Sequence, residues 1–368
     1  PQRNPVHRFT VDRHLVETAV NAASLTREVS RPDLLLVGAL LHDIGKGQAG
    51  DHTDVGVKIV TDLAPRMGFD ESDSAVLVDL VAYHLLLPET ATRRDLADPA
   101  TAAAVAAAVK SQLVLELLDS LSRADAAATG PAAWSTWKAS LVNELVSRTR
   151  AELTGHPVAE RPVLTESQRL LADADGVQVL IEPGEGVWWV TVAAEDRLGL
   201  LGQVAGALAV NRLAVRSART ETLGARAVTV WSVQPEFGEP PTRELLREDI
   251  RLALSGGLDI DAKLMARAAA YRRKSSRQPP PAQFKVVPDA SDRATVVEVR
   301  AHDAPGLLRT IAHAISSVAV SIEAAQVATL GSDVVDVFYL ASDGEPLNST
   351  QAALVRSVVL DALADSDG

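Results

Sequence analysis

The feature that most constrains the fold of this chain is an internal repeat in its second half. One stretch covers residues 188–255, and a stretch with the same order of elements covers residues 296–364, about 108 positions later. Each copy reads as a strand, a short loop, a helix, two further strands and a second helix. A duplicated unit of this kind predicts two similar α+β domains that follow one another along the chain.

The loop between the first strand and the first helix is the candidate ligand site of each copy. It reads DRLGLL in the first copy and DAPGLL in the second. Glycine lets the backbone approach a ligand closely, and N–H groups at a helix start suit a carboxylate. A tight turn without a ligand explains each loop about equally well. The candidate ligand-binding residues are Asp196, Leu198, Gly199, Leu200, Asp303, Pro305, Gly306 and Leu307.

Neither copy has a clear fourth strand. For the first copy we expect Phe284–Val287, which follows the basic, proline-rich linker at 272–282, to supply it. For the second copy, no strand pattern follows the last helix, and Val177–Ile181 is the expected substitute at that edge.

The first part of the chain differs from the repeats. From about Thr10 to Leu153, apolar residues recur at helical spacing and strand patterns are few. Helices are predicted at Leu34–Leu41 and at 54–66, 72–87, 100–127 and 133–151. The most apolar stretch is mostly alanine and is interrupted by polar residues, which predicts a buried helical region and no membrane span. This part is therefore predicted to be an all-α domain.

Six side chains in the helical part form a candidate metal site. A single histidine is most often a structural residue, and the dipeptide His42-Asp43 alone is a weak pattern. However, four of the eight histidines fall in this part, and Asp125 is an unusual carboxylate among alanines unless it has a partner. Several imidazoles and carboxylates that converge from different helices suit metal-assisted hydrolysis. The six candidates are His14, His42, Asp43, His52, His84 and Asp125.

The composition of the chain excludes some classes of function and some kinds of metal site. The chain has 36 Lys and Arg against 48 Asp and Glu, a formal net charge of −12. That balance argues against nucleic-acid binding through a general basic surface. The absence of cysteine excludes disulfides and thiolate metal sites and is compatible with the cytoplasm. Because the chain starts at Pro1, without methionine, and enters helical sequence almost at once, we expect it to be a fragment of a longer protein.

Several longer motifs carry a family resemblance. They are TVDRH at 10–14, LLHDIGKG at 40–47, GDH at 50–52 and HLLLPETATRRDLADP at 84–99. The order of histidines and aspartates resembles the HD phosphohydrolases, and the duplicated unit looks like a pair of ferredoxin-like (βαββαβ) ACT domains, small modules that bind amino acids. Together the chain resembles the C-terminal half of the bifunctional uridylyltransferase/uridylyl-removing enzymes of bacterial nitrogen control.

The resemblance implies a domain plan and a ligand assignment. An HD domain is expected at 1–155, a connector at 156–184 and ACT domains at 185–290 and 291–368. One divalent ion would be held by His14, His42, Asp43 and Asp125. A second would be held by Asp43, His52 and His84. Manganese or magnesium is expected, although iron or zinc would also suit such ligands. Beside the metals, Lys46, Arg93 and Arg94 are candidates for binding a phosphate, whereas a solvated loop explains the two arginines equally well.

The resemblance also implies an activity. The HD domain would remove UMP from a tyrosine of the signal protein PII by metal-assisted hydrolysis, and the ACT pair would sense glutamine. The nucleotidyltransferase domain of the family is expected before Pro1, and Gly331-Ser332-Asp333 is expected to form a turn and not a part of it. Three alternatives remain open: release of AMP, as in actinobacterial members, a (p)ppGpp hydrolase, and a non-catalytic amino-acid sensor.

Overall fold

A computed structural model describes residues 9–130, 134–156, 164–271, 280–330 and 333–366. The chain forms two compact units. The first comprises Pro1–Thr92 and Asp98–Ala159, and the second comprises Arg93–Ala97 and Glu160–Gly368. Most of the predicted linker at 272–282, together with Gly331 and Ser332, lies outside the described residues.

The described part of the first unit is helical throughout, as its periodicity predicts. Buried leucines such as Leu34, Leu80 and Leu118 form its core. Aspartate and serine side chains cap helix starts: Asp51, for example, accepts hydrogen bonds from the backbone N–H groups of Thr53 and Asp54. The helices are α1 (Val11–Ser24), α2 (Pro32–Leu41), α3 (His52–Arg66), α4 (Glu71–Tyr83), α5 (Leu86–Arg93), α6 (Pro99–Val109), α7 (Gln112–Thr129) and α8 (Thr136–Leu153).

Two predicted helices are each divided in the structure. The prediction of one helix at 100–127 is wrong, because α6 and α7 meet at an angle of 102°. Lys110 ends α6 in the left-handed conformation (φ 60°), and the Ser111 hydroxyl then accepts a hydrogen bond from the N–H of Val114 and caps α7. Similarly, the helix predicted at 72–87 ends at Tyr83, and α5 begins after a short turn.

One stretch of the described residues, Glu71–Arg93, is long and apolar enough to cross a membrane by length and composition. The core helix of a soluble protein passes the same test, so this is weak evidence for a span. Three leucines within the stretch, Leu77, Leu80 and Leu87, are fully buried inside the first unit.

The second unit is built on one antiparallel sheet of nine strands in the order β1-β2-β4-β3-β7-β8-β6-β5, with β9 beside β8. The two repeats meet at the centre of this sheet, where Ala218 of β3 is paired with Ala325 of β7. The strands are β1 (Gln178–Pro183), β2 (Trp188–Glu195), β3 (Leu213–Leu223), β4 (Arg226–Pro235), β5 (Gln283–Val287), β6 (Thr295–His302), β7 (Ser321–Leu330), β8 (Asp333–Ser342) and β9 (Glu345–Pro346).

Both expectations for the edge strands are wrong, and each strand belongs to the other repeat. β1 pairs with β2 of the first repeat, and β5 pairs with β6 of the second. Each repeat therefore has the order ββαββα, with the edge strand before the others, and not βαββαβ. The side-chain pattern identified the strands, but it does not say which of two free sheet edges each strand pairs with, because that choice depends on the tertiary structure.

Helices cover one face of the sheet. Trp231 and Phe338, both fully buried, lie in the core between the helices and this face. One helix, α12, was not expected from the sequence; its residues Ile260 and Leu264 are buried in the same core. The helices of the unit are α9 (Glu166–Leu170), α10 (Leu200–Val210), α11 (Arg243–Leu254), α12 (Ile260–Tyr271), α13 (Leu307–Ser316) and α14 (Ser349–Ser366).

We expect Trp231→Ala to lower the free energy of unfolding by about 3–5 kcal/mol, because it removes a fully buried indole and leaves a cavity. Trp189→Ala on the neighbouring strand is the matched control; its side chain is 38% exposed and should cost much less. Urea denaturation followed by circular dichroism measures both. Equal losses in the two variants would contradict the placement of Trp231 in the core.

Candidate metal centre

The six predicted metal ligands lie on five helices of the first unit or at their ends. His14 is in the first turn of α1, and Asp125 is in the last turns of α7. His42 and His84 directly follow the last residues of α2 and α4, and His52 is the first residue of α3. Helix ends suit this purpose because the chain changes direction there, so that neighbouring side chains can be aimed at one point.

The carboxylate of Asp43 is the centre of the cluster. Its Oδ2 atom lies 3.6 Å from His14 Nε2 and 3.4 Å from His42 Nε2. Its Oδ1 atom lies 3.4 Å from His84 Nε2 and 3.8 Å from His52 Nε2. Among the described residues, two groups of potential ligand atoms thus share one aspartate: His14, His42 and Asp43, and Asp43, His52 and His84.

Asp125 joins the first of these groups. Its Oδ1 atom is 3.0 Å from His14 Nε2 and 3.6 Å from His42 Nε2. All six residues that the sequence singled out are therefore brought together, and the first group has two carboxylates and the second has one.

Backbone carbonyls orient two of the imidazoles. The Nδ1 atom of His42 is 2.9 Å from the carbonyl oxygen of Ala39, and the Nδ1 atom of His84 is 2.8 Å from that of Val81. A carbonyl can only accept, so Nδ1 carries the proton and donates it. Nε2 is then the atom that faces Asp43 and that would offer its lone pair to a metal. This is the usual arrangement of a metal-binding histidine. These carbonyls are the part of the site that the sequence did not reveal.

Three atoms of the second group are buried without a hydrogen-bond partner within the described part of the chain: Asp43 Oδ1, His52 Nε2 and His84 Nε2. Leaving one buried polar atom unpaired costs about 1–3 kcal/mol. Three such atoms around one point are readily explained if they bind a cation. The donors are nitrogen and oxygen only, a set that suits Mn²⁺, Mg²⁺, Fe²⁺ or Zn²⁺. The residues present therefore fit a divalent metal.

The electrostatic field at the centre favours a cation. Burial opposes a charged imidazole, but the hydrogen bonds that His42 donates to the carboxylates of Asp125 and Asp43 outweigh burial and raise the pKa of His42 to about 10. Burial likewise opposes ionisation of Asp43, yet His42, His84 and Lys46 hold its pKa below its usual value. At His52 burial dominates and lowers the pKa, which keeps this imidazole neutral and able to bind a metal.

The three predicted phosphate-binding cations have different positions. The Lys46 ammonium forms an ion pair with Asp43 Oδ2 at the metal centre. The Arg94 guanidinium instead donates a hydrogen bond of 3.1 Å to Glu298 Oε1 in the second unit, to which residues 93–97 belong. Arg93 is the last residue of α5. A phosphate-binding role for the two arginines stays a prediction.

In the second unit, the two glycine loops start α10 and α13. Gly199 and Gly306 precede these helices with φ values of 83° and 86°, which are conformations that favour glycine. Each loop lines a cavity between the repeats. The cavity at Asp196, Leu198 and Leu200 has a volume of about 260 Å³. The one at Asp303, Pro305 and Leu307 has about 430 Å³.

The helical fold and the histidine–aspartate cluster together define a class of protein. Residues 11–124, which make up most of the first unit, match the family described as HD domain. Asp125, which contacts His14, is the residue directly after this match.

Nearly the whole chain is related to the bifunctional uridylyltransferase/uridylyl-removing enzymes. It is 44% identical to the enzyme of Streptomyces coelicolor over an aligned length of 411 positions, gaps included. The alignment covers 96% of this chain and 48% of that enzyme. The enzyme of Mycobacterium tuberculosis is 41% identical, with 94% and 45% covered. That of Gluconobacter oxydans is 34% identical, with 92% and 43% covered. The chain spans about half the length of these curated relatives, and the predicted resemblance to their C-terminal half is confirmed.

The shared aspartate leads to a prediction about stoichiometry. We expect the protein to bind two Mn²⁺ ions, and Asp43→Ala to bind neither, because this side chain belongs to both groups. His84→Ala should lose only one ion. His156→Ala is the control, since this exposed histidine bonds to Thr154 away from the cluster. Manganese titration followed by electron paramagnetic resonance counts the ions. Unchanged binding by Asp43→Ala would exclude the site.

Gly45 provides a second prediction. A Cβ atom here would lie 2.0 Å from the carbonyl oxygen of His52 and 2.6 Å from the amide nitrogen of Gly56. Gly45→Ala must therefore displace the start of α3, which carries His52, and should lower Mn²⁺ affinity. Gly47→Ala is the matched control: a Cβ there meets nothing within 4 Å, and its positive φ costs only about 1 kcal/mol. Equal manganese affinities of the two variants in calorimetry would contradict this role of Gly45.

Proposed function

We propose that the HD domain is a metal-dependent phosphodiester hydrolase that removes UMP from a tyrosine of the signal protein PII. We further propose that the second unit contains a pair of ACT domains that makes this reaction depend on glutamine. The predicted bounds, 185–290 and 291–368, change to include the edge strands, so that the first domain begins with β1 and the second with β5. The main observation in support of a hydrolase is that two groups of potential metal ligands share Asp43. The relation to uridylyl-removing enzymes supports the choice of reaction.

His14, His42, Asp43 and Asp125 would hold one ion, and Asp43, His52 and His84 the other. When bound, divalent ions supply Lewis acidity that activates a water molecule and offsets charge on the phosphoryl oxygens. Asp43 fixes the spacing of the two groups because each of its oxygens faces a different pair of imidazoles. The hydrogen bonds to Ala39 and Val81 hold two of the imidazoles in the required tautomer.

The protein also supplies charge for the substrate. Lys46 lies beside Asp43, and its ammonium group has further donors with which it can bind a phosphoryl oxygen. In the reaction the oxygen of water bonds to phosphorus, and the bond from phosphorus to the tyrosyl oxygen breaks. The products are UMP and an unmodified tyrosine. We predict that this reaction takes place in the cytoplasm.

A second candidate product is AMP. The relatives from Streptomyces coelicolor and Mycobacterium tuberculosis are more similar to this chain than that from Gluconobacter oxydans. This similarity supports the alternative of an actinobacterial type of enzyme, in which the nucleotide removed would be AMP in place of UMP. The metal centre acts on the phosphodiester and serves either nucleotide. A (p)ppGpp hydrolase or a non-catalytic sensor would require a different result in the experiment that follows.

Incubation of the chain with nucleotidylated PII and Mn²⁺ should release UMP or AMP, faster when glutamine is added. The double variant His42→Ala/Asp43→Ala should lose this activity and remain folded, because it removes ligands of both groups. His156→Ala should retain the activity. Liquid chromatography identifies the nucleotide. Full activity in the double variant would refute the hydrolase, and hydrolysis of (p)ppGpp in place of PII would refute the substrate.

A further inference from the structure

The two cavities of the second unit occupy equivalent places in the two repeats. Positions in the repeats correspond at a separation of 107 residues, from Asp196 to Asp303. The strand pairing follows the same spacing: Val192 pairs with Thr229, and Val299 pairs with Asp336. The residues that line the two cavities can therefore be compared position by position.

The cavity at Asp303 contains a buried carboxyl group for which the described residues provide no hydrogen-bond partner. Asp336, in the middle of β8, is 1% exposed and lines this cavity. Neither of its oxygens has a hydrogen-bond partner within the described residues. Burial, reinforced by Asp303, raises the pKa of Asp336 to about 8, as expected for an acid that lacks a counter-charge. A buried carboxyl group of this kind is costly for the free protein, so a ligand is the natural source of its partner.

The equivalent residue of the first repeat, Thr229, has all its partners within the protein. Its hydroxyl accepts a hydrogen bond of 2.8 Å from the indole N–H of Trp231 and donates one of 3.3 Å to the carbonyl oxygen of Val192. Thr229 is fully buried. The repeats thus share a backbone but differ at this position: one side chain is satisfied, and the other is not.

A second difference lies in the strands at the centre of the sheet. β3 has a register irregularity between Val215 and Ser217, and β7 has one between Ile322 and Ala324. The residues skipped in the pairing are Arg216 and Glu323, again 107 positions apart. Such bulges redirect a side chain. Arg216 lines the cavity of the second repeat, and Glu323 lines the cavity of the first.

The charges of the two cavities consequently differ. The cavity at Asp303 combines Asp303 and Asp336 with Arg216, whose guanidinium donates two hydrogen bonds to Gln234 Oε1. Burial lowers the pKa of Arg216, and the charge of Asp303 acts against this shift. Its other arginines, Arg267 and Arg309, form ion pairs with Glu236 and Asp261. In the cavity at Asp196, the bulge instead contributes the carboxylate of Glu323.

We propose that the cavity of the second repeat is the amino-acid site, in which Asp336 and Asp303 receive the ammonium group and Arg216 receives the carboxylate. The start of α13, which favours negative charge, also lines this cavity. The ligand is a zwitterionic α-amino acid. The cavity of the first repeat lacks the two decisive groups and does not bind it in the same way. This inference rests on the proposed regulatory function for the choice of glutamine as the probe.

Calorimetry on the whole chain tests the inference with glutamine and two analogues. Glutaramate lacks the ammonium group, and glutaminamide lacks the α-carboxylate. The unaltered protein should bind one glutamine, and Asp336→Asn should weaken that binding at least about tenfold, because a charged hydrogen bond is lost. Asp336→Asn should leave the weaker binding of glutaramate unchanged. Thr229→Val, the matched variant of the first repeat, should bind glutamine as the unaltered protein does.

Arg216→Met provides a test at the other end of the ligand. It should weaken glutamine binding but not that of glutaminamide, which also covers the case in which Asp336→Asn fails to fold. Glutamine binding that is unaffected by Asp336→Asn, or lost equally in Thr229→Val, would overturn the inference. So would binding of Mn²⁺ at Asp336 in place of an amino acid. Hydrolysis of nucleotidylated PII is measured separately, so its absence would refute the proposed reaction and not the binding site.

Discussion

The HD domain depends on the burial of one carboxylate, Asp43, among four imidazoles. The side chain of Asp43 is 2% exposed, and taking a carboxylate out of water costs several kcal/mol unless opposite charge compensates it. Lys46 provides part of this compensation, but Asp43 Oδ1 has no hydrogen-bond partner among the described residues. The helices that carry the histidines therefore converge on a position where a bound cation would stabilise the buried carboxylate. Both the packing of these helices and the candidate chemistry thus depend on positive charge beside Asp43. The helices are α1, α2, α3 and α4, together with α7, which carries Asp125.

The second unit shows how a duplicated fold can carry different chemistry in its two copies. The loops at Gly199 and Gly306, the bulges and the strand register are repeated almost without change. The difference lies in single side chains: Thr229 against Asp336, and Arg216 against Glu323. Backbone geometry is set by turns and strand pairing, which tolerate such substitutions. By contrast, replacing one buried residue with another of different charge changes the charge inside the cavity.

The two units are joined covalently at more than one place. The chain passes from the first unit to the second after Thr92, returns at Asp98 and leaves again after Ala159. The first of these passages lies at the last residue of α5, a helix that begins two residues after the candidate metal ligand His84. The motif run at 84–99 therefore includes both a candidate metal ligand, His84, and the segment 93–97, which belongs to the second unit.

The sequence by itself determined the all-helical first part and the repeated unit, because helical periodicity and duplication are local or countable patterns. The order of its histidines and aspartates, which resembles that of the HD phosphohydrolases, predicted the six candidate metal ligands. Tertiary structure decided the rest. The edge strands β1 and β5 had two possible partners, and only the folded chain shows which edge each one meets. The break at Lys110 depends on a left-handed residue, for which lysine is no indicator. Asp336 looks like any polar residue in a strand until the fold buries it, since a side chain's partners come from segments distant in sequence.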